Sequence, residues 1–379
     1  MTVRMDRIER AQAAMRAQGI DAYMVLTHDD YQYLMGEDRF QPRAVIPAEG
    51  PPLVICFQAE AEEIRRNLGT DRVRVFATVG QQIKDVVETM RAMKGDRDKL
   101  RVGIQMGFFT PFFLVSMFQK ANPFIEIADI GPVMDPLRLR KDDEERATMR
   151  EAARLADLGM QVAHDMLRPG VRERDVALEL EYAMRKAGAD GVAVPVFINS
   201  GARAMWLHGT ATDKALEAGE TVVVNLVPKY RGYCANLCRT FFVGEPSEAQ
   251  RGLYETYRAM QRAALATMRP GAKMRAVDDA AKAVAEAAGH GAHYVPGFSH
   301  SLGLMFEENP MPRLHPNHMG AGLVAGMAIT AGHAVLAVPG VGAARLEDTY
   351  WLGEAGPEPM TRYPQGWESA VVGEPATSR

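Results

Sequence analysis

Hydrophobic positions follow two different spacings along the first third of the chain. Apolar residues at helical spacing predict helices over 5–18, 60–68 and 81–93. Short apolar runs predict strands over 21–27, 52–57, 100–104 and 125–130. Helices and strands that alternate in this way are typical of an α/β unit.

The rest of the chain has longer helical patterns that are separated from runs of strands. The helices are predicted over 143–166, 173–187, 247–268 and 275–288. The strand-rich blocks lie at 192–198, 221–227, 232–243 and 328–352. Segregated helices and strands favour an α+β fold with antiparallel strands over a doubly wound parallel sheet.

A charged stretch separates these two patterns. Asp135-Pro136 is a turn signal, and residues 138–146 are dense in charge. The pattern therefore predicts a first domain over 1–135, a charged linker over 136–145 and a second domain over 146–379.

Composition narrows the class of protein. The 379 residues are 47% hydrophobic and 24% charged, which is typical of a soluble chain with two cores. A formal net charge of −4 gives no electrostatic reason to expect nucleic acid or an anionic membrane as a partner. No uncharged apolar run reaches the roughly 18 residues that a membrane span needs. Three cysteines, an odd and low count, favour a reducing compartment, so we expect a cytoplasmic protein.

Four blocks in the second domain resemble the creatinase, prolidase and aminopeptidase P family. They are FINSGARAMWLHGTATDKALEAGETVVVNL (197–226), GYCANLCRTFFVGE (232–245), PGFSHSLGLMFEENP (296–310) and PGVGAARLEDTYWL (339–352). With the charged linker, the resemblance covers essentially the whole chain. It implies a creatinase-type N-terminal α/β domain followed by a C-terminal "pita-bread" domain with a curved antiparallel sheet.

The resemblance also implies a metal site, but its ligands are changed. Peptidases of this family hold two metal ions with two aspartates, one histidine and two glutamates. The matching positions here are Asn225, Asn236, His300, either Gly332 or His333, and Glu347. Amide oxygens are weaker ligands than carboxylates, and one certain carboxylate balances two dications poorly. We therefore expect a degenerate site with no metal cofactor. The alternative is one divalent ion at His300, His333 and Glu347.

The pocket pattern is closest to the metal-free creatinase branch. That resemblance lies in VVVNLVPKYRGY (222–233), SHSLG (299–303) and TRYPQGWE (361–368). It makes His208 the acid/base residue, with His300 and Glu347 as further catalytic residues. Cys238 occupies the position of a substrate-binding glutamate in creatinase. Because this carboxylate is lost, we do not expect a cationic guanidinium as substrate.

The remaining candidate residues are predicted to bind the substrate. These are Asn225, Asn236, Cys238, His333, Arg39 and Arg43. Glu347 could instead only pair with Arg345, and Cys238 is either an inert buried thiol or a nucleophile. Residues 36–46 resemble the family segment that completes the pocket of the other subunit in a dimer. Arg39 and Arg43 would bind a substrate carboxylate there, beside Phe40. Solvated surface arginines are an equal alternative.

Three functions remain open. The sequence favours a homodimeric hydrolase that cleaves a C–N bond in a small amino-acid derivative without the usual dinuclear metal site. The first alternative is an Xaa-Pro peptidase relative with a mononuclear or degenerate metal site. The second is a pseudoenzyme that keeps the fold as a binding module.

Overall fold

The computed structural model describes residues 3–39, 43–107 and 110–373. The chain divides into two compact units, Met1–Arg138 and Leu139–Arg379. Residues 136–145, predicted as a linker, contain the end of one helix at Leu139 and the start of the next at Asp143.

The first unit is an α/β layer built on one mixed sheet. Its helices are α1 Met5–Ala17, α2 His28–Met35, α3 Ala61–Leu68, α4 Val79–Lys94, α5 Phe112–Ala121 and α6 Gly131–Leu139. Its strands are β1 Ala22–Val25, β2 Ala44–Pro47, β3 Leu53–Phe57, β4 Val73–Phe76, β5 Leu100–Ile104 and β6 Ile125–Asp129. The strand order is β4-β3-β2-β1-β5-β6, and β2 runs antiparallel to both of its neighbours.

The second unit contains longer helices and short, mostly antiparallel strands. Its helices are α7 Asp143–Met166, α8 Glu173–Lys186, α9 Glu248–Thr267, α10 Met274–Ala287 and α11 Trp367–Ala370. Its strands are β7 Gly191–Val192, β8 Phe197–Ser200, β9 Thr221–Leu226, β10 Pro228–Tyr230, β11 Tyr233–Cys234, β12 Leu237–Val243, β13 Ala328–Ala331, β14 Leu336–Val338, β15 Gly342–Ala344, β16 Asp348–Gly353, β17 Gly356–Pro359 and β18 Val371–Val372.

Two of its small sheets carry the site. One has the order β18-β12-β9-β8 and the other β13-β16-β17. A bridge between Cys238 and Glu347 joins them, with reciprocal backbone hydrogen bonds of 2.9 and 3.1 Å. Among the helices of the described residues, none has the length and apolar character that crossing a membrane requires.

Helix α7 is the longest predicted helix, and a capping pair explains why it begins at Asp143. The Asp142 side chain accepts a hydrogen bond from the Glu145 backbone N–H at 2.9 Å, and the Glu145 side chain accepts one from the Asp142 backbone N–H at 2.8 Å. This reciprocal pair satisfies two N–H groups that have no helical partner. The apolar face of α7 then packs with α8 against one face of β9 and β12, where Val222, Val224 and Leu237 lie.

Strands β9 and β12 are buried along their whole length, so both faces are covered. Side chains alternate along a strand. Because Val222 and Val224 face the helices, Val223 and Asn225 face the other way, together with Cys238 on β12. This second face carries the candidate site.

Candidate active site

A row of side chains crosses the second face of the sheet. Phe197 pairs with Asn225, Asn225 pairs with Cys238, and Cys238 is bridged to Glu347. Residues that are directly paired across strands project from the same face. The sheet register therefore places Asn225, Cys238 and Glu347 side by side.

Glu347 is the charged centre of this face, and it is fully buried. One carboxylate oxygen accepts from Arg345 Nη2 at 2.6 Å. The other lies 3.3 Å from His300 Nε2 and 3.5 Å from His333 Nδ1. Burial raises the pKa of Glu347, but the Arg345 guanidinium and the two histidines outweigh it and hold this pKa well below its usual range. Glu347 thus pairs with Arg345 and also contacts both histidines.

His300 is held by the segment that runs beside β13. The Thr330 backbone N–H donates to the His300 carbonyl at 2.9 Å. The Nδ1 atom of His300 lies 2.9 Å from the Ser301 carbonyl, which can only accept, so Nδ1 carries the proton. The Nε2 atom consequently points towards Glu347, with the Asn236 amide nitrogen 3.4 Å away. A histidine fixed in this way directs its other nitrogen, here Nε2, into the cluster as a possible ligand.

His333, not Gly332, reaches the site. Gly332 has φ +110°, and a Cβ at this position would lie 1.8 Å from the Leu346 carbonyl oxygen. Glycine tolerates this conformation and close approach. The His333 ring lies nearly perpendicular to the His300 ring, with 4.6 Å between the centroids. Burial lowers the pKa of His333 to about 4, so its imidazole is neutral at neutral pH.

Glu307 completes a cluster of possible metal ligands. Its Oε1 lies 3.2 Å from His333 Nε2. One ligand atom each from His300, Glu307 and His333 falls within a span of 4.8 Å. Two imidazoles and a carboxylate are a donor set that suits a single zinc, manganese or iron ion. Sequence reasoning missed Glu307, although it is a carboxylate seven residues after His300 in the same block.

The two asparagines are buried beside this cluster. Asn225 is 4% exposed and Asn236 is 3% exposed. The side-chain oxygens of both have no hydrogen-bond partner among the residues that the structure describes. A buried acceptor without a donor is costly, so these two oxygens are available to accept from a bound group.

His208 lies in the loop between β8 and β9. His208 is exposed, and its ring packs on Phe197 with 5.8 Å between the centroids. Desolvation by the neighbouring side chains lowers the pKa of His208 and the positive charge of Arg345 adds to this effect, while Glu307 acts in the opposite direction. Arg345 and Glu307 therefore lie close enough to His208 to influence its charge.

Cys238 is fully buried and packs in a small apolar cluster with Val223, Val335 and Ala343. Burial is the main cause that raises its pKa to about 12. At neutral pH the group is a neutral thiol, so the structure does not favour the nucleophile hypothesis.

Arg39 and Arg43 belong to the first unit. Arg39 Nε donates to Glu37 at 3.1 Å. Arg43 lines a cavity together with Tyr31 and Glu60, and burial lowers its pKa. Phe40, which was expected to pack beside the bound carboxylate, lies outside the described residues.

Comparison with known proteins identifies the family. A model described as Metallopeptidase family M24 matches residues 147–354, and a Creatinase/Prolidase N-terminal domain model matches residues 7–140. The chain belongs to metallopeptidase family M24. An Xaa-Pro dipeptidase of Pyrococcus furiosus is 32% identical to this M24 chain over 251 residues, which are 66% of this chain and 71% of that protein.

Solved structures agree with this assignment. The Xaa-Pro dipeptidase from Bacillus anthracis is 25% identical, with a TM-score of 0.87 over 97% of this M24 chain and 99% of that chain. The prolidase from Pyrococcus horikoshii OT3 is 25% identical, with a TM-score of 0.85 over 95% and 99% of the two chains. The expected family, the two-domain fold class and the expectation of a C–N hydrolase are confirmed.

The expectation that this M24 protein needs no metal cofactor is wrong. Its family is one of metallopeptidases, and His300, Glu307 and His333 form a group that can hold an ion. The error has a physical cause. Glu307 and His333 are not at the ligand positions that the resemblance supplied with certainty, and folding alone brings them beside His300.

Proposed function

We propose that this M24 protein is a metal-dependent peptidase of the Xaa-Pro dipeptidase kind, with a single divalent ion at His300, Glu307 and His333. The observation that carries the proposal is the convergence of these three ligand atoms within 4.8 Å. Relatives named Xaa-Pro dipeptidase favour the first alternative from the sequence, a peptidase with a dipeptide substrate, over the creatinase-like hydrolase that the sequence favoured.

The charges of the site support one ion over two. Glu307 and Glu347 are the carboxylates of the described site, and the Arg345 guanidinium lies 2.6 Å from Glu347. One dication would leave one net positive charge among these groups, whereas two dications would leave three. Excess charge of that size in a buried pocket is strongly unfavourable. Asn225 and Asn236 are neutral and cannot offset it.

The residues around the ion would divide the work. A bound divalent ion acts as a Lewis acid and lowers the pKa of water. His208, whose pKa lies below its usual value, is neutral at neutral pH and would accept a proton before donating one to the leaving amine. The unpaired oxygens of Asn225 and Asn236 would accept hydrogen bonds from N–H groups of the substrate.

The metal content of purified protein tests this proposal directly. We expect about one equivalent of a divalent transition metal per chain, and its loss in Glu307→Gln and His333→Ala. His315→Ala is the control, because His315 is an exposed histidine outside the cluster. Two equivalents in the native protein would contradict the single site, and none after reconstitution with Zn, Mn or Fe(II) would contradict the metal assignment.

Activity is the second test. We expect hydrolysis of dipeptides with proline in the second position and a loss of about 10²–10⁴ in kcat for His208→Ala. Turnover that is unchanged in His208→Ala would remove His208 from the chemistry. Activity on another small amino-acid derivative and none on dipeptides would favour the creatinase-like hypothesis instead.

Dimerisation and location are further parts of the proposal. Phe113 and Met117, one turn apart on α5, are 69% and 43% exposed, and the adjacent Phe112 is 83% exposed. Such exposed apolar groups support burial against a second copy of the chain. Sedimentation velocity should give twice the mass of one chain, and Phe113→Glu should shift it to the monomer. All three cysteines are buried and none forms a disulfide within the described residues, which supports a reducing, cytoplasmic location.

A further inference from the structure

Glu173, the first residue of α8, has a buried carboxylate that binds both ends of one loop. One of its oxygens accepts from the Ser200 N–H at 2.9 Å and from the Ser200 hydroxyl at 2.8 Å. The other accepts from the Thr212 N–H at 3.0 Å, from the Thr212 hydroxyl at 2.8 Å and from Arg203 Nη1. The donors thus come from three points of the segment 200–212.

That segment contains His208. It begins where β8 ends, at Ser200, and it returns at Thr212, so one carboxylate holds its two ends together. Arg203 reinforces the closure, since its Nη2 donates to the Thr210 carbonyl at 2.6 Å. We call residues 200–212 the His208 loop.

The interior of the loop is fixed by further close contacts. A Cβ at Gly209 would lie 2.1 Å from the Asn199 side-chain oxygen, so the backbone next to His208 passes directly over Asn199. The Asn199 amide nitrogen lies 3.5 Å from the Trp206 carbonyl. The His208 ring itself rests on Phe197. The direction of the imidazole therefore depends on the path of the whole loop.

The chemistry of the Glu173 site is that of an ionised acceptor. Burial raises the pKa of Glu173, but hydrogen bonds from Thr212 and Ser200 outweigh it, and its pKa lies below the usual value. A carboxylate that accepts several short hydrogen bonds holds its donors far more tightly than a neutral amide would. Glutamine has the same shape, but it presents an NH₂ group to donors on one side.

We propose that Glu173 is a positioning residue for catalysis, because its carboxylate closes the His208 loop and so fixes the place of His208. The inference rests on the proposed acid/base role of His208. In this role Glu173 would act through the loop and not by contact with the substrate.

Kinetics of Glu173→Gln test the proposal. We expect kcat to fall by about 10- to 100-fold, since a displacement near 1 Å of a catalytic group costs about that much. The metal content should stay at the native value, because the variant leaves the three ligands in place. Thr212→Val, which removes one hydroxyl donor and is the milder change, should lower kcat in the same direction by less. Glu179→Gln, at an exposed site on the same helix, is the matched control and should match the native enzyme.

A double-mutant cycle separates a positioning role from a general loss of stability. In the His208→Ala background, Glu173→Gln should cause no further loss of kcat, because the two residues act as one unit. Hydrogen exchange gives an independent readout, and amides of the His208 loop should lose protection in Glu173→Gln and keep it in Glu179→Gln.

Two results would overturn the inference. If His208→Ala impairs turnover but Glu173→Gln leaves kcat unchanged, or multiplies the His208→Ala loss independently, Glu173 does not position His208. If His208→Ala itself leaves turnover unchanged, the proposed role of His208 fails and the positioning role fails with it. The two failures are distinguished by the single His208 variant.

Discussion

Replacing Arg138 with methionine should destabilise the first unit strongly. The Arg138 Nη1 atom donates to Asp30 at 2.8 Å and also to Asp29. The three side chains are 7%, 0% and 8% exposed respectively. Methionine keeps an unbranched apolar stem but leaves two buried carboxylates without the Arg138 charge. Breaking a buried pair in this way costs about 3–5 kcal/mol of unfolding free energy.

The pKa values of the two aspartates give this prediction a pH dependence. The pKa of Asp29 is about 2, because the Arg138 charge outweighs the effect of burial. Since it is lowered from 3.8, Asp29 contributes about 2 kcal/mol above pH 4, and this is lost as the pH falls through 2. Burial and the Asp29 charge raise the pKa of Asp30 to about 6. The folded state therefore binds that proton more tightly, and stability rises as the pH falls from about 6 towards 4.

Without Arg138, both carboxyl groups would titrate at higher pH and be neutral in mild acid. The loss in Arg138→Met should therefore be largest at pH 7 and smaller at pH 5. Urea unfolding followed by far-UV circular dichroism at both pH values measures it. Arg10→Met is the control, because Arg10 and Asp6 are exposed and 3.6 Å apart, and such pairs contribute under about 1 kcal/mol. A loss below about 1 kcal/mol for Arg138→Met, or one that grows at pH 5, would refute the reasoning.

Two further predictions concern the second unit. With a pKa of about 12, only about 10⁻⁴ of Cys238 is thiolate at pH 8. Iodoacetamide should therefore not label Cys238 in the folded protein, and Cys238→Ser should keep most turnover. Full labelling by mass spectrometry, together with loss of activity, would contradict this prediction. Gly332→Ala should cost about 3 kcal/mol and displace His333, because its Cβ would meet the Leu346 carbonyl at 1.8 Å. Thermal unfolding measures the loss of stability and metal analysis measures the displacement of His333. Gly320→Ala is the control, because a Cβ there meets nothing within 4 Å, and equal behaviour of the two variants would argue against strain at Gly332.

The long helices were predictable because their signals are local. Helix α7 has the predicted bounds, since its apolar face recurs at helical spacing and its capping residues lie within four positions. Helix α5, FFLVSMFQKA, was missed. Its apolar residues cluster in its first seven positions without a polar face, so the pattern has no clear period. Strand β2 was also missed, because four residues carry little signal before they are paired with β1 and β3.

Some residues of the candidate site could likewise be predicted from the sequence, and others could not. Ordered blocks of sequence carried the family, the fold class and the pocket positions of His300 and Glu347. They left the choice between Gly332 and His333 open, and they led to the wrong expectation of no metal. Glu307 was invisible as a ligand because its loop position has no fixed geometry in sequence.

The sequence by itself determined what depends on neighbours along the chain. Helix spacing, capping pairs and ordered family blocks are short-range patterns, and each can be recognised before the chain folds. Only the tertiary structure decided which side chains share one space. The sheet register sets Asn225, Cys238 and Glu347 in a row, and the positive φ of Gly332 turns His333 towards Glu307. These contacts join residues far apart in sequence, and their distances follow from packing, which no local pattern encodes.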